Sequence, residues 1–517
     1  MTRIIVLFLS TLFAVTSYSA ELNIYVDSFA MEDGDGKKRS PYRNFREINW
    51  EKVQYSISQN IPVYINVKRG GVWREQLNVQ ASGARGVPIT ILPYGNSYEP
   101  RPLILGSVDM SKREDWQLID KERNLWATSV GSLPPSTSFH NSDTGFALFG
   151  QERPENVGKK ARRIEDLDKP KEYLYEKHQG RVVVYSESNP AQQFEKIELA
   201  NSRYRYSVLL SGVNYVTIEG LAVKYSSVNA INIENGSQGA GSEFIEIIDC
   251  EISYGGGFSG SGARIGAGIH VGKGGGSRHI TIRNNKVSQF WDAAIGLEST
   301  GRKGGFELYK ILVKDNLLET SHAGIYVGAG GSGQSQRIYD VEISGNIISN
   351  MGYGWSGYDN DGAFHGRGIS VSARNPSKGT VIENVRIEGN TIDTFSNRGI
   401  NLMGGENYTV KYNTIKNGKA DFTRSFAGAF VIHGGGPKES DQDVFGEISD
   451  NSVFDNESPG LIIVNNRPLA SKGKLNIRAN VFSNNKVVAG SKDSLPVSIR
   501  ASQNYSLSGN SIDVKAH

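Results

Sequence analysis

The chain has 517 residues, of which 38% are hydrophobic and 21% charged, with 60 glycines and only 16 prolines. This composition is too apolar for a disordered protein and is typical of a turn-rich β protein. The formal net charge is +3 and no lysine- or arginine-rich block occurs, so we expect no nucleic-acid partner.

Residues 1–20 have the pattern of a secretory signal: Arg3, an apolar stretch, then small residues ending at Ala20. This apolar stretch is too short to span a bilayer, and no later stretch is long enough, so we expect no membrane segment. The single cysteine, Cys250, cannot form an internal disulfide. We therefore predict a secreted or periplasmic protein, with a Gram-negative bacterium favoured over a disulfide-rich secretome.

The segment 21–113 is predicted to cap and begin a β structure. It opens with the strand-like ELNIYV (21–26), and a short amphipathic helix is predicted at about 45–58. Such a helix can cover an open sheet edge, which would otherwise invite aggregation. PVYINVKRG (62–70) and VPITILPYG (87–95) then alternate apolar and polar residues, as half-buried strands do.

Residues 114–200 interrupt this pattern. Charged residues and prolines are enriched in 153–191, and GRVVVYS (180–186) has the composition of a strand. We predict a small inserted β-rich subdomain, after which VNYVTIEGLAVKY (213–225) resumes the coils.

From 201 to 517 a motif recurs in which an asparagine follows an alternating apolar pair, as in ITIRNN (280–285). These asparagines are Asn285, Asn316, Asn346, Asn390, Asn413, Asn451, Asn480 and Asn510. Their spacings of 23 to 44 residues, mostly 29 to 31, indicate a solenoid repeat. We expect their amides to form a hydrogen-bonded ladder along the turns. Cys250 has the same place in its repeat and is predicted to be a small buried residue.

A second motif follows each asparagine: a small residue and then Ile-x-Val or a similar triplet, as in GIHVG (268–272) and GIYVG (324–328). Two short strands per period, joined by turns rich in Gly, Asn and Asp, predict a stacked β coil.

The run GGVWREQLNV (70–79), followed by PITILPYG (88–95), resembles the opening coils of secreted right-handed parallel β-helix proteins, the pectate-lyase-like superfamily. The resemblance extends over the repeats from about 205 to 517. It implies an all-β fold, a single-stranded right-handed parallel β-helix with an N-terminal capping helix and a small inserted β subdomain. Since many members depolymerise polysaccharides, it also implies a carbohydrate-active enzyme. The Lys-Ser and Arg-His-Gly contexts of many of its lyases, and the Asp-rich signatures of polygalacturonase-type hydrolases, are absent.

Strand alternation predicts which residues of the second motif face outward. The residue between the two inward apolar positions faces solvent, and stacking should align these residues in one column. The column is His270, Gly296, Tyr326, Ser370 and Asn401. Gly296 should leave a notch between His270 and Tyr326, about 10 Å apart at the usual spacing of strands.

The turn before this strand adds a second set of polar residues. It comprises Asp292, His322, His365, Arg367 and Arg398. Beside them, the enlarged loop 351–368 contains Tyr353, Trp355 and Tyr358, whose rings we predict to stack against sugar faces. Loops that expand a compact repeat are often functional. We therefore predict His365, Asn401 and these three aromatic residues to bind substrate.

These residue types suit β-elimination on a uronate polymer. His322 or His270 would remove the C5 proton, Tyr326 would protonate the leaving oxygen, or the converse, and Arg367 or Arg398 would hold the carboxylate. The sequence therefore favours a polysaccharide lyase that cleaves an acidic extracellular or capsular polysaccharide. Alternatives are a glycoside hydrolase using carboxylates such as Asp292, a uronate C5-epimerase, and a non-catalytic polysaccharide-binding or export scaffold.

Asp359 and Asp361, in the sequence YDNDG, are candidate Ca²⁺ ligands because their oxygen-rich spacing suits a hard cation. The same two carboxylates are further candidates for the hydrolase alternative. The expected partner is a polysaccharide substrate, and we expect a monomer.

Overall fold

The computed structural model describes residues 20–31, 34–130, 144–176, 178–200, 205–236, 239–258, 264–272, 276–299, 305–330, 335–355, 365–373, 379–419, 427–434, 444–464, 474–485, 497–500 and 505–512. Most of the predicted signal (1–19) lies outside these ranges. So do Tyr358, Asp359 and Asp361, which remain predictions.

Each complete coil contributes one strand to each of three parallel sheets, which we name A, B and C in the order in which the chain enters them. Within the described ranges these sheets have thirteen, twelve and eleven strands. Sheet A comprises Leu22–Val26, Val63–Lys68, Ile89–Tyr94, Asn214–Glu219, Glu243–Ile248, Arg278–Arg283, Phe306–Lys314, Gln336–Ser344, Val381–Glu388, Gly405–Lys411, Val444–Ser449, Leu475–Arg478 and Tyr505–Ser508. Sheet B comprises Val72–Trp73, Leu103–Leu105, Ala222–Ser226, Glu251–Gly255, Lys286–Phe290, Leu317–Glu319, Ile347–Met351, Thr391–Phe395, Thr414–Lys416, Ser452–Phe454, Val481–Ser483 and Ser511–Ile512. Sheet C comprises Leu77–Val79, Val208–Ser211, Ile231–Glu234, Ile269–Gly272, Ala293–Ser299, Ala323–Ala329, Arg367–Ala373, Arg398–Met403, Gly428–His433, Leu461–Val464 and Val497–Arg500.

The core runs along the axis of the stack and is built from alternate strand residues. In sheet C the inward positions are fully buried and pair in register from coil to coil; they include Ile269, Ile295, Ile325, Ile369 and Ile400. The predicted fold, a right-handed parallel β-helix, is therefore confirmed.

The predicted capping helix is also present, as Trp50–Ser58 after a short 3-10 turn at Phe45–Glu47. The side chain of Asn49 caps it by accepting a hydrogen bond from the Lys52 backbone N–H at 2.9 Å. Val53 and Ile57 on its inner face belong to the main core, so the helix covers the first coil. Among the described residues, no helix is both long and apolar enough to cross a bilayer.

The inserted subdomain leaves the helix after the sheet B strand Leu103–Leu105 and returns at Val208–Ser211. It contains a three-stranded sheet (Ser107–Asp109, Ala147–Phe149, Ile197–Ala200) and a five-stranded sheet (Gln117–Asp120, Leu125–Ser129, Lys159–Lys160, Glu172–Glu176, Arg181–Tyr185). Short helices lie at Arg113–Asp115, Pro154–Asn156, Ile164–Asp166 and Pro190–Gln193. A two-stranded pair, Gly257–Phe258 with Arg264–Ile265, lies within the coils.

Aromatic packing attaches this subdomain to the outside of the coils. The ring of Phe146 stacks on Tyr225 at 5.6 Å and meets Trp355 edge-on at 5.7 Å, while Trp355 contacts Trp291 at 4.8 Å. An ionic contact adds to the attachment, since Lys224 Nζ lies 2.8 Å from a carboxylate oxygen of Glu152. Burial of these rings favours one fixed orientation of the subdomain on the coils.

The asparagine ladder forms as predicted at the turn from sheet A to sheet B. At Asn346, for example, the side-chain Nδ2 donates to Val313 O at 3.0 Å and to Asn390 Oδ1 at 2.9 Å, and its own Oδ1 accepts from Asn316. Cys250 ends the ladder, buried, with its backbone N–H donating to Asn285 Oδ1. Burial raises the pKa of the Cys250 thiol to about 12, so this residue is an unreactive part of the core.

Replacing a ladder asparagine should destabilise the fold strongly. Asn346→Ala removes the hydrogen-bond partners of two buried backbone groups on the preceding coil, the Asn316 N–H and the Val313 carbonyl. We expect it to lower the free energy of unfolding by about 2–4 kcal/mol. Urea unfolding followed by circular dichroism measures this change. The control is Asn407→Ala, an exposed asparagine whose side chain donates to Asn384. Equal effects of the two substitutions would contradict a stabilising role for the ladder.

Candidate functional site

The predicted outward column on sheet C exists. His270, Gly296, Tyr326, Ser370 and Asn401 are register partners on five successive coils. At about 4.8 Å per coil, the strands of His270 and Tyr326 are about 9.6 Å apart. His270 and Tyr326 are partly exposed, whereas Ser370 and Asn401 are buried.

The side chain of His270 is oriented by a chain of hydrogen bonds. Asn232 Nδ2 donates to the Glu234 carboxylate at 3.0 Å, so its Oδ1 faces His270 Nδ1 at 3.0 Å. Because this amide oxygen can only accept, His270 Nδ1 must carry the hydrogen, and Nε2 is then free to take a proton. Nε2 lies 4.0 Å from a carboxylate oxygen of Glu298. His270 is thus positioned to act as a base.

Asn232, Glu234 and Glu298 are site residues that the sequence analysis missed. Glu298 pairs in register with Gly272 of the preceding coil. Glu234 occupies the same position in its strand, one coil before Gly272. The two acidic residues are therefore two coil steps apart, about 9.6 Å between strands. The signal was present in the motif AIGLE (294–298): the residue after the second inward position also faces outward.

The polar residues of the turn before sheet C also come together. The backbone carbonyl of Asp292 accepts from Ala323 N–H at 2.9 Å, and that of His322 accepts from Arg367 N–H at 3.0 Å, so these turns stack directly. The rings of His322 and His365 are 6.4 Å apart in an edge-to-face arrangement. The predicted turn set therefore shares one flank with His270 and Tyr326.

Two guanidinium groups occupy neighbouring coils of this flank, since Arg367 and Arg398 are register partners. Burial, and secondarily the charge of Arg367, lower the pKa of Arg398 to about 10. Holding two like charges at this spacing is unfavourable, and a bound anion would relieve it. The flank is therefore suited to a carboxylate or a comparable anionic group.

Two predicted substrate-binding residues have other contacts. Asn401 is only 1% exposed; its Oδ1 accepts from Arg398 Nη1 at 2.9 Å and its Nδ2 donates to Ser370 Oγ at 3.1 Å. It orients Arg398 instead of offering its amide to a ligand. Trp355 is 6% exposed and packs under the inserted subdomain, with its Nε1 donating to Gln289 O at 2.8 Å, so its ring faces are not free to stack on a sugar.

Tyr353 is partly buried, and this burial raises the pKa of its phenol. Its backbone N–H donates to Asn350 O at 3.2 Å. Tyr353 and Trp355 are the two described residues among the three aromatic residues predicted to bind substrate. Of these two, Tyr353 is partly exposed and Trp355 is buried.

Within the described ranges, no group of three or more His, Cys, Asp or Glu residues could hold a metal ion. The Ca²⁺ site predicted at Asp359 and Asp361 remains a prediction.

Comparison with known proteins agrees with the fold. The family model described as "Right handed beta helix region" matches residues 267–514. A solved structure titled "Glycoside hydrolase" is 10% identical, with a TM-score of 0.54 over 95% of this chain and 96% of that one. The lacto-N-biosidase of Eubacterium ramulus is 12% identical, with a TM-score of 0.50 over 95% of this chain and 68% of that one. Among proteins of curated function, none matches this chain significantly.

At such low identities the likeness is one of fold. The chain folds as a right-handed parallel β-helix, and its polar face on sheet C is the candidate site.

The neighbouring guanidinium groups of Arg367 and Arg398 should bind a simple anion. Sulfate should raise the melting temperature of the protein, because a ligand that binds only the folded state stabilises it, and Arg398→Met should reduce this increase. Below pH 10 Arg398 is charged, so the sulfate effect should decline as the pH rises through about 10. Differential scanning fluorimetry with chloride at matched ionic strength measures both effects.

Arg337→Met is the matched control, because Arg337 lies on sheet A between Glu307 and Glu383. It should keep the full sulfate response. Without sulfate, Arg398→Met should remain within about 1 kcal/mol of the native chain, since relief of repulsion offsets the lost hydrogen bond to Asn401. An unchanged sulfate response in Arg398→Met would contradict the anion site.

Proposed function

We propose that this protein cleaves an acidic polysaccharide by β-elimination. The observation that carries the proposal is the placement, on one flank of sheet C, of an oriented histidine, a tyrosine and two neighbouring guanidinium groups. A solenoid face of this kind suits a polymer, because both present a linear array of repeated units.

The proposed chemistry assigns one task to each group. His270 Nε2 takes the proton from C5 of a uronate, and the electron pair of that C–H bond forms the C4–C5 double bond. The C4–O bond breaks, and Tyr326 Oη protonates the departing oxygen. Solvent then returns a proton to Tyr326 and removes one from His270.

The developing negative charge on the substrate carboxylate needs a cationic partner during this step. Arg367 and Arg398 lie one and two coils beyond Tyr326 and would supply it through their planar forks. His322, in the same coil as Tyr326, is the alternative base. Comparing His270→Gln with His322→Gln identifies which imidazole removes the proton.

The test is incubation with a panel of acidic polysaccharides, following the absorbance of unsaturated uronate products. We expect His270→Gln and Tyr326→Phe each to lower the rate by about 10²- to 10⁴-fold, the usual contribution of a general acid or base. His279→Gln and Tyr339→Phe, both on sheet A, are matched controls and should keep full activity. Loss of chain length without the new absorbance would exclude elimination.

Glycoside hydrolysis is the second candidate. It is favoured by Glu234 and Glu298, whose strands lie about 9.6 Å apart, close to the carboxylate spacing of inverting enzymes. A structural neighbour titled "Glycoside hydrolase" has the same fold. New reducing ends without unsaturated products, abolished by Glu298→Gln, would establish this reaction.

A further inference from the structure

Gly296 differs from the other glycines of sheet C in having no steric reason to be glycine. A Cβ added at any other described glycine in these strands, or directly before them, would come within 3.0 Å of a neighbouring atom. These glycines are Gly268, Gly272, Gly324, Gly328, Gly368, Gly399, Gly428 and Gly460. At Gly296 the nearest described atoms would be His270 Cδ2 at 3.4 Å and Ala267 Cβ at 3.6 Å, which is ordinary contact.

The backbone does not require glycine at this position either, because the φ angle of Gly296 is not positive. The fold would therefore accept alanine there. The missing side chain instead leaves a gap in the outward column, between His270 on one coil and Tyr326 two coils later.

The rings on either side lie along their own strands, and the His270 ring also borders the Gly296 position through Cδ2. The His270 ring extends over Gly272, where an added Cβ would approach His270 Cε1 to 3.1 Å. The Tyr326 ring extends over Gly328 in the same manner, 2.5 Å from an added Cβ. Gly328 is thus explained by the Tyr326 ring that it accommodates, whereas the atom nearest to a Cβ at Gly272 is the backbone oxygen of Glu298.

The width of this gap matches one ring of a ligand. The strands that carry His270 and Tyr326 are two coil steps apart, about 9.6 Å. A single ring in van der Waals contact with both walls needs about 7–8 Å, twice the usual carbon–carbon contact distance of 3.5–4.0 Å. The remainder accommodates the pucker and substituents of a saturated ring.

We propose that the Gly296 gap is the subsite for one hexopyranose ring, which inserts between His270 and Tyr326. This inference rests on the proposed function and makes Gly296 the residue that determines specificity at the reacting position. The imidazole atom nearest to the Gly296 position is His270 Cδ2, the carbon bonded to Nε2, so the proposed base borders the gap. Asp292 and Glu298 belong to the same coil and flank Gly296 along the chain.

Filling the gap tests the proposal directly. The series Gly296→Ala, Gly296→Val and Gly296→Phe adds increasing volume, and the first substitution makes only ordinary contacts, so it should fold. Thr281→Phe is the matched control, since Thr281 faces outward on sheet A in the same coil. Binding of free D-glucuronate and D-glucose, measured by ligand-observed NMR titration, is the readout, with melting temperature as the check on folding.

We expect the native chain to bind at least one of the two sugars, and the affinity should fall along the series of substitutions. The loss should reach about tenfold or more at Gly296→Phe. Gly296→Val provides this comparison should the phenylalanine variant not fold. Thr281→Phe should bind as the native chain does. Undiminished binding in the folded variants, or binding of neither sugar by the native chain, would overturn the proposal. If sugar binding falls along the series as expected but the native chain leaves acidic polysaccharides intact, the proposed function alone is overturned.

Discussion

The asparagine ladder is the constraint on which the rest of this structure depends. From Asn316 onward, each ladder oxygen accepts from the backbone and the side chain of the preceding asparagine, as Asn346 does from Asn316. Each Nδ2 also donates to a carbonyl of the preceding coil, as Asn316 does to Ile282. These groups are buried, so an asparagine that slipped by one residue would leave several polar groups unsatisfied. The ladder therefore fixes the register of every coil from Cys250 to Asn510.

A fixed register is what makes a surface site possible on a chain of short strands. His270, Tyr326 and Arg398 are far apart in sequence but lie within a few coil steps on sheet C. Since the backbone beneath them is hydrogen-bonded on both sides, their positions need no ligand to be set. The geometry of the site follows from the spacing of the coils and the loop lengths that preserve it.

The inserted subdomain contributes to the same region through packing. Trp291 directly precedes Asp292, and its ring contacts Trp355, which in turn meets Phe146 of the subdomain. The turn that carries Asp292 is therefore held between the coils and the subdomain. At Arg367 and Arg398 the electrostatic interaction is repulsive, because two positive charges are held close together on neighbouring coils. Like charges held close together are typical of sites that bind ions.

The sequence by itself determined the fold, the capping helix, the subdomain and the outward column, because each depends on a local period or on its interruption. The asparagine spacing predicted the ladder, and alternation placed His270, Gly296 and Tyr326 in one row. Both predictions require only that side chains alternate between the two faces of a strand and that the coils stack in register.

Only the tertiary structure decided which of these side chains remain available. Trp355 and Asn401 were predicted to bind sugar, but one packs against Trp291 and the other bonds to Arg398. The role of Asn232 in fixing the His270 tautomer likewise depends on a contact between coils. Burial and hydrogen-bond partners arise from residues distant in sequence, so a local pattern can give the direction of a side chain but not what it meets.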